Sequence, residues 1–458
     1  MSSRSASSGT LKPSLKKKAK IVPQIHSNPS KPKFHIEADA PALSAKAKGK
    51  ARAVTPPPKK QKKASVQVSD PSSSLPTSFK VVFGSYEKLL YGLEGTVYSE
   101  GLKYAFDLKP IFIFPAHVSC IKSVSASPEG GKWLATGSDD EIIKVWDLRR
   151  RKEIGGLMHH QGSITHLVFP SRSYLLSASE DGTLCLFRAR DWAVLRELKG
   201  HKGRVNSVAV HKSCKVALSV GKDRTLRMWD LMRGKGSASI KLGKEGELVR
   251  WSVDGSIFGV QTQNTIDIYN TDMELLHTVT HPSRIQDIHF CKRIIGEGDL
   301  LLVGAEDKKL TIYTVPDDRT QIPAVIAEMV GHSNRVKAVD AIRISLPEGS
   351  SRESTTVVCT VSSDGKVRLY DLALVPETSV ETIQLDPLAE YDTKGTRLTC
   401  VTLADGDQSP SVQGKRKRGN VEESGSEDEA EIELEGEQIG AEAQEEEEGI
   451  DGGDSEAE

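Results

Sequence analysis

Between residues 79 and 404, short runs of apolar and polar residues alternate and are cut by turn formers. Ile142-Ile143-Lys144-Val145-Trp146 alternates clearly, and β-rich runs cover Arg204–Val210, Val216–Val220 and Thr225–Trp229. Asp-Gly pairs at Asp181-Gly182 and Asp364-Gly365 mark tight turns between such runs. Period-two alternation bounded by turn residues reads as half-buried strands joined by hairpins.

The strands carry markers at fixed offsets. One unit reads His201, Ser219, Asp223, Trp229; a second reads His117, Thr136, Asp140, Trp146. Two more read His160, Ser177, Asp181, Phe187 and His332, Thr360, Asp364, Tyr370. The aromatic lies six residues after the aspartate, and the hydroxyl residue four before it. Two further units are degenerate. One has His281, Asp307 and Tyr313, with Val303 in the hydroxyl position; the other keeps Trp251 and Tyr269 but lacks the histidine and aspartate. Four strands per unit at this period read as blades of a β-propeller, and the histidine-to-Trp-Asp order resembles the WD40 repeat. The 326 core residues divided by seven give about 47 per blade, which fits that period with loops. The fold expected is an all-β, seven-bladed propeller.

The histidine, hydroxyl, aspartate and indole of a full unit can form one buried hydrogen-bonded chain. A partner left unpaired there costs about 1–3 kcal/mol, which favours a structural role over a catalytic one. Six units start at Val118, Gln161, Lys202, Gly243, Pro282 and Ser333. Residues 79–114 then offer three strands, and 397–403 offers one with no blade of its own. Placing that strand in the first blade removes an open sheet edge and closes the ring. Residues 94–107 are then expected to form an exposed loop.

Charge separates the chain into three parts. Residues 1–78 hold 16 Lys+Arg and 3 Asp+Glu; residues 405–458 hold 4 and 20; the propeller region, 79–404, holds 42 and 40. Both ends are poor in apolar residues and read as disordered, one basic and one acidic. Basic runs at Lys59, Lys60, Lys62 and Lys63, and at Lys415, Arg416, Lys417 and Arg418, suit nuclear import. Ser424 and Ser426 lie among acidic residues, where phosphorylation would add negative charge. Six scattered cysteines without a Cys-x-x-Cys pair argue against zinc and disulfides. No apolar run is long enough for a membrane span, and none near Met1 reads as a secretory signal.

No catalytic constellation is evident, and His159-His160 contains a repeat histidine, so the expectation is a non-enzyme without cofactor, metal or small-molecule substrate. One surface pattern suggests binding. Arg204, Arg284 and Arg335 each lie three residues after a repeat histidine, and Lys202, Lys222, Arg224 and Lys337 fall nearby. Equal repeat positions map to equal places on each blade, so these residues form one candidate partner-binding rim for RNA phosphate or an acidic protein. Arg149-Arg150-Arg151-Lys152, on the opposite face, reads as a solvated turn.

Several segments match more than the generic repeat: Phe83-Gly84-Ser85-Tyr86-Glu87-Lys88-Leu89-Leu90-Tyr91-Gly92, His159 to Thr165, Leu218 to Arg227, Ile266 to Tyr269 and Arg397 to Cys400. They resemble the WD40 family that includes the p21-activated kinase-interacting protein of animals and fungal ribosome-assembly relatives. The resemblance implies a nucleolar, non-catalytic factor in maturation of the large (60S) ribosomal subunit. It also implies binding to pre-60S assembly factors or ribosomal RNA and, for animal members, to p21-activated kinase. Regulation of such a kinase, or an adaptor role in a ubiquitin ligase or chromatin complex, are the alternative readings.

Overall fold

The computed structural model describes residues 75–406, apart from 101–102, 317–318 and 378–380. The tails, and with them Lys59, Lys60, Lys62, Lys63 and the 415–418 run, lie outside the described residues.

Seven sheets, antiparallel except for one added strand, follow one another along the chain. Blades two to six cover 121–157, 164–199, 205–241, 248–280 and 285–329, and blade seven covers 336–392. Blade one joins 78–115 to the strand Leu398–Asp405, which pairs antiparallel with Ser78–Ser85 in the register Val81↔Leu403, Val82↔Thr402, Phe83↔Val401. The first strand of each repeat is innermost. These seven strands touch in succession, and Leu398–Asp405 touches both Val336–Ser345 and Ile121–Ala126. The architecture is a seven-bladed β-propeller closed around a central channel.

Apolar burial supplies the adhesion between blades. Each of the seven interfaces has its own buried cluster. Between blades one and two, Val82, Leu90 and Phe112 meet Ile121, Leu134 and Trp146; between blades three and four, Leu176, Leu184 and Leu186 meet Val205, Val208 and Trp229. Each fully buried aliphatic or aromatic side chain contributes about 1.5–3 kcal/mol relative to exposure. Gly84 is needed where blade one approaches blade two, since a Cβ there would lie 2.5 Å from Ile121 Cγ2.

The innermost strands face the channel with one edge, so their N–H groups need partners from outside their own sheet. Side chains of the preceding blade supply them. Leu167 donates its N–H to Ser123 Oγ at 2.9 Å, Val339 to Asp287 Oδ2 at 3.0 Å, Leu403 to Asp340 Oδ2 at 2.7 Å and Ala126 to Thr402 Oγ1 at 3.3 Å.

Two features differ from the sequence reading. Residues 94–107 are not a loop: the strands Leu89–Glu100 and Lys103–Pro115 pair as one long hairpin from Leu89↔Pro115 to Glu100↔Lys103. Val97, Tyr104, Phe106 and Leu108 share one side of it and pack with Ile344, Val357 and Tyr391 of blade seven. Tyr104 adds a hydrogen bond from its hydroxyl to Asp371. The hairpin thus has a buried face on the neighbouring blade. Blade six, in addition, carries a fifth strand, Ile383–Leu385, which pairs parallel to Val325–Met329 and covers its outer edge.

Candidate functional site

The repeat markers meet on the face formed by the loops before each innermost strand. In blade four, His201 Nδ1 lies 3.0 Å from Asp223 Oδ2 and Nε2 lies 2.7 Å from Ser219 Oγ, which accepts the Trp229 indole N–H at 2.7 Å. Blade two repeats this, with His117 2.9 Å from Asp140 and 2.7 Å from Thr136, whose hydroxyl accepts the Trp146 indole at 3.0 Å. In blade three His160 joins Asp181 and Ser177, and in blade seven His332 joins Asp364 and Thr360. Phe187 has no donor, and Tyr370 gives its hydroxyl to the Val330 carbonyl instead.

Burial pushes His117, His201 and His332 below the usual histidine value, against the pull of their aspartates. The imidazoles are therefore neutral, with Nδ1–H donating to the carboxylate and Nε2 accepting the hydroxyl. Burial alone would raise Asp181, Asp223 and Asp364, but hydrogen bonds from the imidazole, hydroxyls and backbone N–H groups lower all three. Those backbone bonds complete the motif. Each aspartate accepts the N–H after the histidine (Val118, Gln161, Lys202, Ser333) and the N–H two residues beyond itself (Ile142, Thr183, Thr225, Lys366). The residue after it is left-handed in every case, including Arg224 at φ 60° and Gly365 at φ 80°, and the Asp-Gly turns supply that conformation without a Cβ.

Blade six solves the same problem differently. Val303 offers no hydroxyl, and the His281 ring is turned over: Nδ1 lies 2.9 Å from the Tyr313 hydroxyl and Nε2 lies 3.1 Å from Asp307. The unit that looks degenerate is tied through tyrosine.

The predicted rim residues sit on this face, but the arginines are not free. Arg204 contacts Glu245 at 3.3 Å and Glu180 at 3.6 Å; Arg284 contacts Glu247 at 3.0 Å; Arg335 approaches Glu306 at 3.7 Å. Arginine of one blade alternates with glutamate of a neighbour. Lys337 is half-buried, donates to Gln286 Oε1 at 2.7 Å and is lowered by burial. Lys202, Lys222 and Arg224 are exposed without a side-chain ion pair among the described residues. Lys202, Arg204 and Lys222 border a depression of about 520 Å³ with Glu180 and Asp223. The rim is mixed in charge, because the acidic partners come from other blades and lie outside the repeat offsets that place the arginines.

In the channel wall Arg250 reaches His166 Nε2 at 2.9 Å and Asp287 at 3.2 Å, joining blade five to blades three and six. Among the described residues no group of three His, Cys, Asp or Glu side chains is placed to hold a metal. All six cysteines are free thiols.

Comparison with known proteins fits this geometry. The WD domain, G-beta repeat model matches residues 108–147, 151–188 and 192–230. Each match contains the outer strand of one blade and three strands of the next, so the sequence repeat is offset from the blade by one strand. The chain is 33% identical over 325 residues to p21-activated protein kinase-interacting protein 1-like of Danio rerio, covering 71% of this chain and 80% of that protein. It is 30% identical over 401 residues to Protein MAK11 of Saccharomyces cerevisiae, covering 79% and 91%. The chain belongs to this WD40-repeat family. Shk1 kinase-binding protein 15 of Schizosaccharomyces pombe, 26% identical over 341 residues, is a further relative. Family members thus share the propeller span, and two of the three names record a kinase interaction.

Proposed function

We propose that this protein is a non-catalytic nucleolar scaffold for assembly of the large ribosomal subunit, bound to pre-60S particles through assembly factors or ribosomal RNA. The similarity to Protein MAK11 over 91% of its length carries this reading, together with the fungal ribosome-assembly relatives to which the sequence motifs point. The propeller supports it physically: interlocked blades give a rigid disc whose loops present fixed groups to partners. The mixed rim around Arg204 and Arg335 suits a protein surface of alternating charge.

The test is affinity purification of the tagged full chain, read for both protein and RNA, with imaging of its place in the nucleus. Co-purification with large-subunit precursors, and accumulation of precursor RNA on depletion, are expected. Unchanged precursor RNA on depletion would sink the proposal. Neutralising Arg204 and Arg335 together, as Gln, is expected to weaken particle association with little change in melting temperature, since exposed ion pairs contribute little to stability.

The kinase-binding names of two relatives favour a second reading, a regulatory binder of p21-activated kinase. Capture of a purified kinase regulatory domain without RNA would support it.

A further inference from the structure

The face opposite the rim carries a second cluster of positive side chains. It is built from the two hairpin turns at that end of each blade. In blade two the Arg149 guanidinium donates to the Gly130 carbonyl at 2.9 Å, and Leu148 N–H donates to Lys132 O at 2.8 Å, which locks the two turns side by side. Blade three places Arg172 and Arg190 at the corresponding turns, and the Cys214 thiol, donating to the Pro170 carbonyl at 2.9 Å, brings blade four against it.

Lys132, Arg149, Arg150, Arg151, Arg172 and Arg190 therefore lie at the same end of blades two and three. Most of the acidic groups nearby are already committed. Asp147 is buried and caps the Arg149 and Arg150 N–H groups; Asp191 is held by Arg188; Glu153 pairs with Lys144. Glu129 approaches Arg172 at 3.9 Å, with both side chains exposed, and the half-buried Asp405 lies near the same guanidinium. Arg149 and Arg172, with the buried Lys80 and the carboxylates of Glu129 and Asp405, line a groove of about 470 Å³. Aromatic surface borders the charge. The Trp133 and Trp192 rings meet edge to face at 5.3 Å across blades two and three, Lys132 lies 4.5 Å over Trp133, and Tyr174 is 39% exposed beside Arg172.

We propose that this face of blades two to four binds single-stranded RNA, with arginines on successive phosphates and the aromatic side chains beside the bases. A basic groove bordered by aromatic rings is the arrangement that holds single strands without strong sequence preference, and guanidinium forks suit phosphate oxygens. The choice of RNA over an acidic protein segment rests on the ribosome-assembly reading. On the rim, by contrast, Arg204, Arg284 and Arg335 are each held by a glutamate, and the exposed positive groups left are Lys202, Lys222 and Arg224.

The test uses the full chain and a fluorescent 20-nucleotide RNA, with affinity read by anisotropy across a salt series. The triple variant Arg149→Gln, Arg150→Gln, Arg151→Gln is expected to lose at least tenfold in affinity. Its salt slope should fall by about 2, at roughly 0.7 per lost phosphate contact. Its melting temperature should change little, since the three side chains are exposed and the Leu148–Lys132 backbone bond still joins the two turns when the Arg149 contact to Gly130 is lost. Arg204→Gln with Arg335→Gln is expected to change affinity less than twofold. The same RNA is measured with Lys59, Lys60, Lys62 and Lys63 changed to Gln, and with the glutamates of 422–448 changed to Gln. Loss that follows the tail lysines or the rim, and not the triple variant, overturns the proposal, as does absence of RNA binding in both the full chain and the tail-neutralised chain. Tighter binding on tail neutralisation, abolished by the triple substitution, supports it and makes the acidic tail a competitor for this face. Capture of an acidic peptide in place of RNA by the same arginines also overturns it. Naked-RNA affinity and particle co-purification are separate readouts, so a failure here leaves the assembly reading standing, and the reverse.

Discussion

The Asp340 carboxylate accepts the Leu403 N–H at 2.7 Å, so blade seven grips the strand that completes blade one. Asp340 also accepts the Ala341 N–H at 2.9 Å. Asp340→Ala leaves the Leu403 donor unpaired in the wall between two blades. The expected cost is about 1–3 kcal/mol, from urea denaturation at pH 7. Asp340→Asn keeps an acceptor oxygen and should cost far less. Equal losses in the two variants would mean that the bond to Leu403 contributes nothing to closure.

The same carboxylate makes stability depend on pH in an unusual direction. Burial raises Asp340 to about 6, while burial and the nearby Arg250 lower His289 to about 4. The two groups face each other at 3.8 Å, with 24% and 27% of their side chains still exposed. With a raised value, folded Asp340 holds a proton that the unfolded chain releases, so its contribution is full below about pH 4 and is lost as pH rises through 6. His289 behaves oppositely: its contribution is full above about pH 6.5 and is lost as pH falls toward 4. Shifts of this size correspond to at most about 3 kcal/mol each, less for the residual exposure, and they nearly cancel. Removing Asp340 as Asn should therefore steepen the loss of stability between pH 6.5 and 4, in the direction His117, His201 and His332 already push. Parallel stability curves for the two proteins would show that Asp340 titrates normally.

Much of this structure was readable in the chain because the repeat fixes residue type at fixed offsets. The His201–Ser219–Asp223–Trp229 chain and the blade number follow from such offsets, and the place of the 397–403 strand follows from its being left without a blade of its own. What the offsets hid was contact between blades. Arg204 looks free until Glu245 is brought to it from the next blade, and Arg284 until Glu247 is. The long hairpin was hidden for a related reason: Val97, Tyr104 and Phe106 alternate correctly, but the blade-seven surface that buries them lies more than two hundred residues away. Glu94 and Glu100 on the same segment make it read as polar. Asp287 and Asp340 belong to no repeat signature, since their partners are backbone N–H groups across the channel wall.

The two versions of the histidine network give a paired prediction. Asp223→Ala removes the acceptor for His201 Nδ1–H, Lys202 N–H, Thr225 N–H and the Thr225 hydroxyl together. A loss of roughly 2–4 kcal/mol is expected, because several partly buried donors are stranded at once. Tyr313→Phe strands only His281 Nδ1 and should cost about 1–2 kcal/mol. Asp181→Ala, in a blade that already lacks the indole, should fall between them. If Tyr313→Phe proved neutral by thermal and urea unfolding, the inverted ring would be a passive contact and not a replacement for the missing hydroxyl.

The hairpin clasp on blade seven is testable by local opening. The Tyr104 hydroxyl donates to Asp371, which also accepts the Thr355 hydroxyl and the Ala373 N–H at 2.9 Å, and burial with the Asp371 charge raises the phenol to about 12. Tyr104→Phe keeps the ring packed beside Phe106 and removes only the bond, so global stability should drop by about 0.5–1.5 kcal/mol. Phe106→Ala removes buried apolar area from the same side of the hairpin and should cost about 3–5 kcal/mol if the clasp unfolds with the whole ring. If instead the hairpin opens separately, amide exchange should accelerate across Val97–Phe106 while the paired strands Val81–Phe83 and Val401–Leu403 keep their protection. The second outcome is expected. Beyond Thr96 the hairpin pairs only with itself and leans on blade seven through side chains, whereas Val81–Phe83 is paired on both edges. Uniform exchange across both segments in Phe106→Ala would make the hairpin part of the cooperative ring.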